Sequence, residues 1–511
     1  MQQPKNLPLF TGLAAAMLAA CFAADAAPKP PSLKGTEFLQ SLVGSCPSAY
    51  TQYPNAPITE YLGMDRLLTS QLIARVASSD ILQDQQAKTQ PYASLPLPGG
   101  GTLGGYNPPN QGADLYRVHY RSTNVRSEST VVSGLVALPA ESMTGGIVVY
   151  THATQVSQSA GAPSKPSVEA CSMITALAGK ERIVAMPDYL GFGINNDIHP
   201  YPLGVQNAPA GLDIITAARE LAGQIHPDLP LGGAVSVTGY SEGGGNALWL
   251  GRRLQEQGQP PALIAPMSGD YDITGATAHS LIVNQPPVAV TLAAKPLLLV
   301  FTAQAAWEIA NLDPISLIDA PLVAWDNTNP LPLTASGITE IGLDMAALMT
   351  TAYQQGYVKK SFNPDILMNP ELEANIVIRN CLAQPVKLWC ENDNIDWTPT
   401  VPIYATGILQ DQIVPFAGFL YPVPAGYTGG RPFFQSGNSE NLIKAMRQKG
   451  IGADRVAWFG IDAAKVTVPS GKSTKTQTIN HVNGLVPVSI LAARAIEQGG
   501  MANLPQLPDP K

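Results

Sequence analysis

The sequence predicts an α/β fold in which a mainly parallel sheet is crossed by helices. From about residue 113, short apolar and β-branched runs alternate with runs of helical spacing, the pattern of parallel strands joined by crossover helices. One such run enters a Gly-x-Ser-x-Gly motif at 239–243, and a helix-forming run leaves it. A low-charge stretch over about 275–395 interrupts the alternation. Its segments look largely helical, so we expect a cap inserted into the core.

The same pattern predicts how the 511 residues are divided. Residues 34–112 are expected to form a helical extension, because apolar residues between 58 and 82 recur mostly at helical spacing. A Pro- and Gly-rich stretch, 91–112, separates this extension from the core. The cap would divide the α/β core into two parts, 113–274 and 396–511.

Residues 235–247 are the most informative segment of the chain. A β-branched run leads into Ser241, and helix-forming residues follow. In this setting a buried strand turns sharply into a helix and holds the serine in a strained backbone conformation. Glycines two positions before and after the serine remove Cβ atoms that would collide in the turn. The segment therefore predicts Ser241 as a nucleophile; the alternative is a chance match in a glycine-rich chain.

A general base for Ser241 can be found by elimination. Enzymes built on such a turn carry their triad in the order Ser, acid, His, and of six histidines only His279 and His481 follow Ser241. His279 follows too closely for a strand and an acid-bearing loop to intervene. His481 lies in a polar loop after a predicted strand, 455–462, and is the predicted base.

The acid should follow the end of the strand that comes before strand 455–462 in the chain, because it must orient the imidazole. The apolar run 401–408 predicts that strand, and Asp411 follows it directly. Asp411 is therefore the predicted acid. Asp396, which lies before the strand at its wrong end, is the alternative.

The oxyanion hole usually draws one N–H from the residue after the nucleophile and one from the loop after an early strand. Glu242 supplies the first donor. A predicted strand, 145–150, ends in the segment that contains His152, Ala153 and Thr154. We assign the second donor to Ala153 or Thr154. His152 is expected to support this loop, since only one general base is needed.

These segments resemble the secreted lipase and esterase branch of the α/β-hydrolases, from about residue 115 to 500. The residues that carry the resemblance are Tyr150-Thr151-His152-Ala153-Thr154, Pro187-Asp188-Tyr189-Leu190-Gly191-Phe192-Gly193, His199-Pro200-Tyr201, Gly239-Tyr240-Ser241-Glu242-Gly243-Gly244, Asp411-Gln412-Ile413-Val414-Pro415 and the His481 loop. Members commonly have His-Gly-Thr where this chain has His152-Ala153-Thr154. The resemblance implies an α/β-hydrolase fold and a serine ester hydrolase of the carboxylesterase or triacylglycerol lipase type. Such an enzyme would act on a hydrophobic or lipid ester and need no cofactor.

Asp188 and Tyr189 follow a predicted strand, 182–186, and so lie at the sheet edge where ligands bind. They are interpreted as a rim or support of the site. The structural interpretation, which we favour, is turn chemistry in which Asp bonds nearby backbone and glycines relieve strain.

The N-terminus predicts export. Lys5 precedes a short apolar stretch, 7–20, that is typical of a signal peptide, and we assign residues 1–27 to this signal. The stretch ends in Leu18-Ala19-Ala20-Cys21, which resembles a bacterial lipobox and would make Cys21 a lipidated membrane anchor. Cleavage near Ala24-Asp25-Ala26 is the alternative. The mature protein would be secreted, periplasmic or an outer-membrane lipoprotein of a bacterium.

Four further cysteines suit an oxidising compartment. Cys381 and Cys390 are close enough for a local disulfide, which leaves Cys46 to join Cys171. The alternative is four unpaired, buried thiols, since an even number alone is weak evidence.

Composition and motifs exclude several classes of function. A net charge of −8 without a basic run argues against nucleic-acid binding. The chain has no His-Glu-x-x-His, paired Cys-x-x-Cys or P-loop motif, so neither a catalytic metal nor a nucleotide is implied. No protein partner is inferred. A serine peptidase on the same fold and an inactive, surface-attached binding protein remain as alternatives.

Overall fold

The computed structural model describes residues 46–97, 100–155, 163–197, 199–278, 309, 370–383, 386–411, 413–420, 434–470, 473–481 and 483–510. The predicted signal with Cys21, and most of the predicted cap, lie outside the described residues. Among the described residues, no helix is long and apolar enough to cross a membrane.

Fourteen strands lie in the described part of the chain. They are β1 Ile58–Glu60, β2 Leu67–Val76, β3 Ala113–Thr123, β4 Ser129–Pro139, β5 Ile147–Thr151, β6 Ile183–Pro187, β7 Val235–Tyr240, β8 Leu263–Met267, β9 Ile403–Ile408, β10 Phe419–Leu420, β11 Phe434–Gln435, β12 Val456–Ile461, β13 Lys465–Ser470 and β14 Ser473–Thr478. Ten of them form one sheet in the order β1-β2-β3-β4-β6-β5-β7-β8-β9-β12. The pairs β10–β11 and β13–β14 form two small separate sheets.

The large sheet has an antiparallel edge and a parallel remainder. Strands β1 to β4 pair antiparallel with one another, and β4 pairs antiparallel with β6. The pairs from β6 through β5, β7, β8 and β9 to β12 are all parallel. The predicted parallel core is therefore confirmed, and its carboxyl ends meet at one edge of the sheet.

Helices cover both faces of this sheet. They are α1 Ser78–Thr89, α2 Val168–Leu177, α3 Gly204–Ile225, α4 Glu242–Glu256, α5 Pro370–Val377, α6 Val386–Asn392, α7 Asn438–Gln448 and α8 Leu485–Gln498. Successive residues of a central strand belong to the hydrophobic cores on opposite sides of the sheet. Val148 lies on the side of α1, α2 and α8, and Val149 lies on the side of α3, α4 and α7. This alternation follows from the pleat of a strand, whose side chains point to opposite faces in turn. Both faces are buried, as a parallel sheet requires.

The prediction of a helical N-terminal extension is wrong for residues 58–60 and 67–76, which form β1 and β2. Among the described residues up to 112, the helical ones are a 3₁₀ turn, Ser48–Tyr50, and α1. The register of β2 against β3 shifts between Leu67 and Thr69 and again between Leu72 and Ala74. These irregularities break the strict two-residue alternation of a strand. The buried positions of β2 are consequently 67, 70, 71, 73, 74 and 76, so the strand lacks the regular alternation that would identify it in the sequence.

The described parts of the predicted cap are its two ends. A π-helical turn, Ile273–Thr277, begins it, and α5 and α6 lead back to β9. Arg379 Nη2 contacts both Asp272 Oδ1 (3.0 Å) and Asp393 Oδ2 (2.7 Å), and Thr274 N donates to Asp393 Oδ1 (3.0 Å). We call Asp272, Thr274, Arg379 and Asp393 the cap base.

Candidate active site

Ser241 lies in a sharp turn between β7 and α4. Its backbone has φ 59° and ψ −125°, a region that non-glycine residues occupy rarely and at a cost of about 1–3 kcal/mol. Its N–H donates to Met267 O at the end of β8 (2.9 Å), which fixes the turn to the neighbouring strand. The predicted strand–turn–helix around the serine is thus present.

The two motif glycines let the first turn of α4 approach the end of β5. A Cβ atom at Gly239 would overlap Thr151 Oγ1, and one at Gly243 would overlap Thr151 O. Thr151 Oγ1 itself donates to Gly243 O (2.6 Å). Any larger residue at either position would push the helix, and with it the serine, away from the sheet.

The structure brings Ser241, His481 and Asp411 together from three separate parts of the chain. His481 Nε2 lies 2.7 Å from Ser241 Oγ, and His481 Nδ1 lies 2.6 Å from Asp411 Oδ2. All three side chains are buried. Because a carboxylate accepts, Nδ1 carries a proton, and Nε2 is then free to accept the serine hydroxyl proton.

Asp411 is held by its own loop. Its Oδ1 accepts hydrogen bonds from Ile413 N and Val414 N, both at 3.0 Å, so each carboxylate oxygen has a partner. Asp396, the alternative acid, lies elsewhere: its side chain is 93% exposed and pairs with Lys449 Nζ at 2.7 Å. The structure therefore places Asp411, and not Asp396, beside His481.

Tyr240 supports the imidazole in a way that sequence reasoning missed. Its hydroxyl donates to His481 O, and its ring stacks on the His481 ring with centroids 5.3 Å apart. The sequence could have indicated this role, because Tyr240 directly precedes the nucleophile at the end of a strand, where its side chain must point to one face of the sheet.

The polar loop predicted before His481 is shorter than expected, because β13 and β14 form a hairpin up to Thr478.

The Ala153 assignment to the oxyanion hole is wrong in this structure. Ala153 N donates to Glu169 Oε1 (2.7 Å), and that carboxyl group also accepts from Tyr150 Oη (2.6 Å) and Gln155 Nε2 (3.1 Å). Glu169 is buried, and its burial raises its pKa. Within the described residues, the N–H groups of Thr154 and Glu242 donate no hydrogen bond, so these two amides remain as the candidate donors.

His152, Asp188 and Tyr189 form a buried support behind the Thr154 loop. Tyr189 Oη donates to His152 O (3.0 Å), the two rings stack at 4.1 Å, and His152 Nε2 lies 3.0 Å from Asp188 O. Asp188 accepts from Ser133 Oγ (2.5 Å) and Ser164 N (2.8 Å), and burial raises its pKa. Asp188 thus supports the turn, but its carboxylate bonds Ser133 and Ser164, which are distant in sequence, and not the nearby backbone that the structural interpretation expected.

Asp270 is a buried acid near the triad that sequence reasoning also missed. It follows the end of β8, and its Oδ1 accepts from Thr277 Oγ1 (2.6 Å). Burial raises the pKa of Asp270 to about 6, and the neighbouring Glu242 and Asp411 add to this shift while His481 opposes it. Its position just after β8, which is the strand next to the nucleophile strand, could have identified Asp270 from the sequence.

Both disulfides of the predicted pairing are present. Cys46 is bonded to Cys171 on α2, and Cys381 is bonded to Cys390 on α6. The first joins the N-terminal part of the described chain to the core, and the second closes a loop beside the cap base.

Comparisons with known proteins give structural likeness only. No protein-family model matches the chain, and no curated protein matches its sequence. A candidate hydrolase from Legionella pneumophila subsp. pneumophila strain Philadelphia 1 is similar in structure, with 19% identity, a TM-score of 0.61, and coverage of 86% of this chain and 100% of that chain. The rice cell wall degrading esterase LipA from Xanthomonas oryzae is 20% identical, with a TM-score of 0.57 and coverage of 78% of this chain and 91% of that chain.

At these identities the likeness establishes the fold. Together with the parallel core and the turn at Ser241, it shows that this chain has the α/β-hydrolase fold.

Proposed function

We propose that the protein is an exported serine carboxylic ester hydrolase that works through an acyl-enzyme intermediate. The observation that carries this proposal is the continuous hydrogen-bond path from Asp411 through His481 to Ser241, at 2.6 and 2.7 Å. An acid, an imidazole and a hydroxyl in this arrangement convert serine into a nucleophile.

The reaction would proceed in two halves. Ser241 Oγ attacks the ester carbonyl carbon while His481 Nε2 takes the hydroxyl proton, and the carbonyl oxygen becomes an oxyanion. The N–H groups of Glu242 and Thr154 stabilise that charge, and Asp411 stabilises the imidazolium. Collapse breaks the ester C–O bond, and His481 gives its proton to the departing alcohol. Water then attacks the acyl-enzyme with His481 as base, which releases the acid and restores the Ser241 hydroxyl.

An ester substrate is favoured over an amide by the esterase among the similar structures. The low charge of the predicted cap suits a hydrophobic acyl group. We also propose export, since two disulfides suit an oxidising compartment. Lipidation of Cys21 would attach the mature protein to a membrane.

The test is hydrolysis of short- and long-chain p-nitrophenyl esters beside a panel of peptide p-nitroanilides. We expect ester turnover that falls by at least about 10⁴-fold in Ser241→Ala, with the melting temperature of the variant close to that of the parent. Preference for the anilides would indicate a peptidase. An S241A variant with parental ester activity would refute the mechanism, and a parent inactive on both panels would favour a binding protein.

A further inference from the structure

The residue after the nucleophile has a buried side chain that the proposed mechanism does not use. Glu242 begins α4, and its Oε1 lies 2.7 Å from His199 Nε2. Both side chains are only 1% exposed. A carboxyl group in such a place is costly unless its charge is compensated, and this one lies beside the N–H that would bind the oxyanion.

The close contact makes His199 a candidate counter-ion of the Glu242 carboxyl group. His199 Nδ1 lies 3.2 Å from Leu190 O, and because a carbonyl oxygen only accepts, Nδ1 is the donor. Nε2 lies 2.7 Å from Glu242 Oε1, although the two atoms are not aligned as a hydrogen bond. A proton on Nε2 would make the ring a cation against the carboxylate, and the pair as a whole would then be neutral.

Neutrality matters here because the surroundings are rich in acids. Glu169, Glu242, Asp270 and Asp411 all lie buried around Ser241, and Glu242 contributes to the raised pKa of both Glu169 and Asp270. Within the described part of the chain, no Lys or Arg forms an ion pair with any of these four groups. An uncompensated charge on Glu242 would oppose formation of the oxyanion directly beside it.

His199 is held in place by the Asp-Tyr-x-Gly turn. Its ring lies 4.5 Å from the Phe192 ring and 6.0 Å, nearly parallel, from the Tyr189 ring. Tyr189 in turn stacks on His152, beside the Thr154 loop. Tyr189 and His199 therefore connect the two sides of the proposed oxyanion hole.

We propose that His199 is a positioning residue that holds the proton neutralising Glu242 beside the oxyanion. This inference rests on the proposed function. Its test is a cycle of His199→Gln, Glu242→Gln and the double variant, with His119→Gln as a matched control on β3. Each is assayed at pH 8 for kcat and KM on a p-nitrophenyl ester and for affinity to an alkyl boronic acid, whose adduct on Ser241 is a tetrahedral anion.

Gln at 199 can still donate a hydrogen bond but brings no proton to neutralise Glu242. We expect H199Q to lower kcat and boronic acid affinity together by about 10–100-fold, with KM within about threefold of the parent. The double variant H199Q/E242Q should regain at least tenfold over H199Q, because no charge is left to neutralise. H119Q should match the parent.

A purely structural role for His199 predicts another pattern, in which E242Q fails to rescue H199Q and boronic acid affinity does not follow kcat. That pattern would overturn the proposal, as would full activity in H199Q. If H199Q does not fold, E242Q is compared with H199Q/E242Q. Activities within threefold support the proposal, and a larger loss on adding H199Q contradicts it. Ester turnover by the parent and its loss in S241A test the proposed function separately.

Discussion

Buried carboxylates near the carboxyl ends of β8 and β9 are stabilised in two different ways. Asp411 receives two backbone N–H groups from its own loop and faces His481. In the cap base, Asp272 and Asp393 share one guanidinium, from Arg379, whose side chain is 42% exposed. Burial and the nearby Asp272 raise the pKa of Asp393 to about 6.

These partners indicate a different role for each group of carboxylates. Two backbone N–H groups of its own loop hold Asp411, so the carboxylate is oriented toward the imidazole. The partners in the cap base come from segments far apart in sequence, so those carboxylates hold together the two described ends of the predicted cap. We therefore expect variants of the first group to change the reaction rate and variants of the second to change stability.

The largest expected effect is on the rate, in Asp411→Asn. The amide should keep the loop but favour the wrong tautomer of His481, which lowers kcat by about 10⁴-fold. Asp396→Asn is the matched control: it removes an exposed carboxylate paired with Lys449, and such pairs contribute at most about 1 kcal/mol. Steady-state kinetics check both variants. Equal rates in the two would mean that the triad has been assigned to the wrong acid.

A smaller effect, on stability, is expected in Arg379→Met. Two buried carboxylates lose their shared cation, and we expect the free energy of unfolding at pH 8 to fall by about 1–3 kcal/mol, discounted because Arg379 is partly exposed. Asp393 has a raised pKa in the folded state, so it takes up a proton as pH falls through about 6. The loss should therefore be smaller at pH 5 than at pH 8.

Urea denaturation at the two pH values checks this prediction, with kcat on a short ester measured beside it. If R379M lost as much kcat as D411N and lost no stability, the proposed difference in role between Asp411 and the cap base would be wrong.

An effect of similar size, opposite in sign above pH 7, is expected in Asp270→Asn. A carboxyl group whose pKa rises from 3.8 to about 6 on folding binds more protons in the folded state between those values. The parent should therefore lose stability as pH rises from about 4 to 6, by about 1–3 kcal/mol for this group. D270N should remove that contribution and be the more stable protein above pH 7. Melting temperatures from pH 4 to 8 check it, and a D270N curve parallel to that of the parent would contradict it.

The sequence was most informative where the local backbone conformation allows few residue types. Ser241 needs glycines on both sides, and chain order then leaves His481 and Asp411 as its partners. Sequence patterns failed where distant contacts decide. The bulges of β2 disguise a strand, and Glu169, from another helix, takes the Ala153 amide. The position of Asp270 after β8 is visible in the sequence, but its burial becomes visible only in the folded chain.

The central claim, that Asp411 and His481 activate Ser241, is tested most directly by covalent labelling. The parent and His481→Ala are treated with an alkyl fluorophosphonate, and the modified peptide and its rate of formation are determined by mass spectrometry. We expect a single adduct on Ser241 in the parent, formed at least about 10³-fold more slowly in H481A. Labelling of Ser241 at the same rate in both proteins, or an adduct on another residue of the parent, would contradict the account.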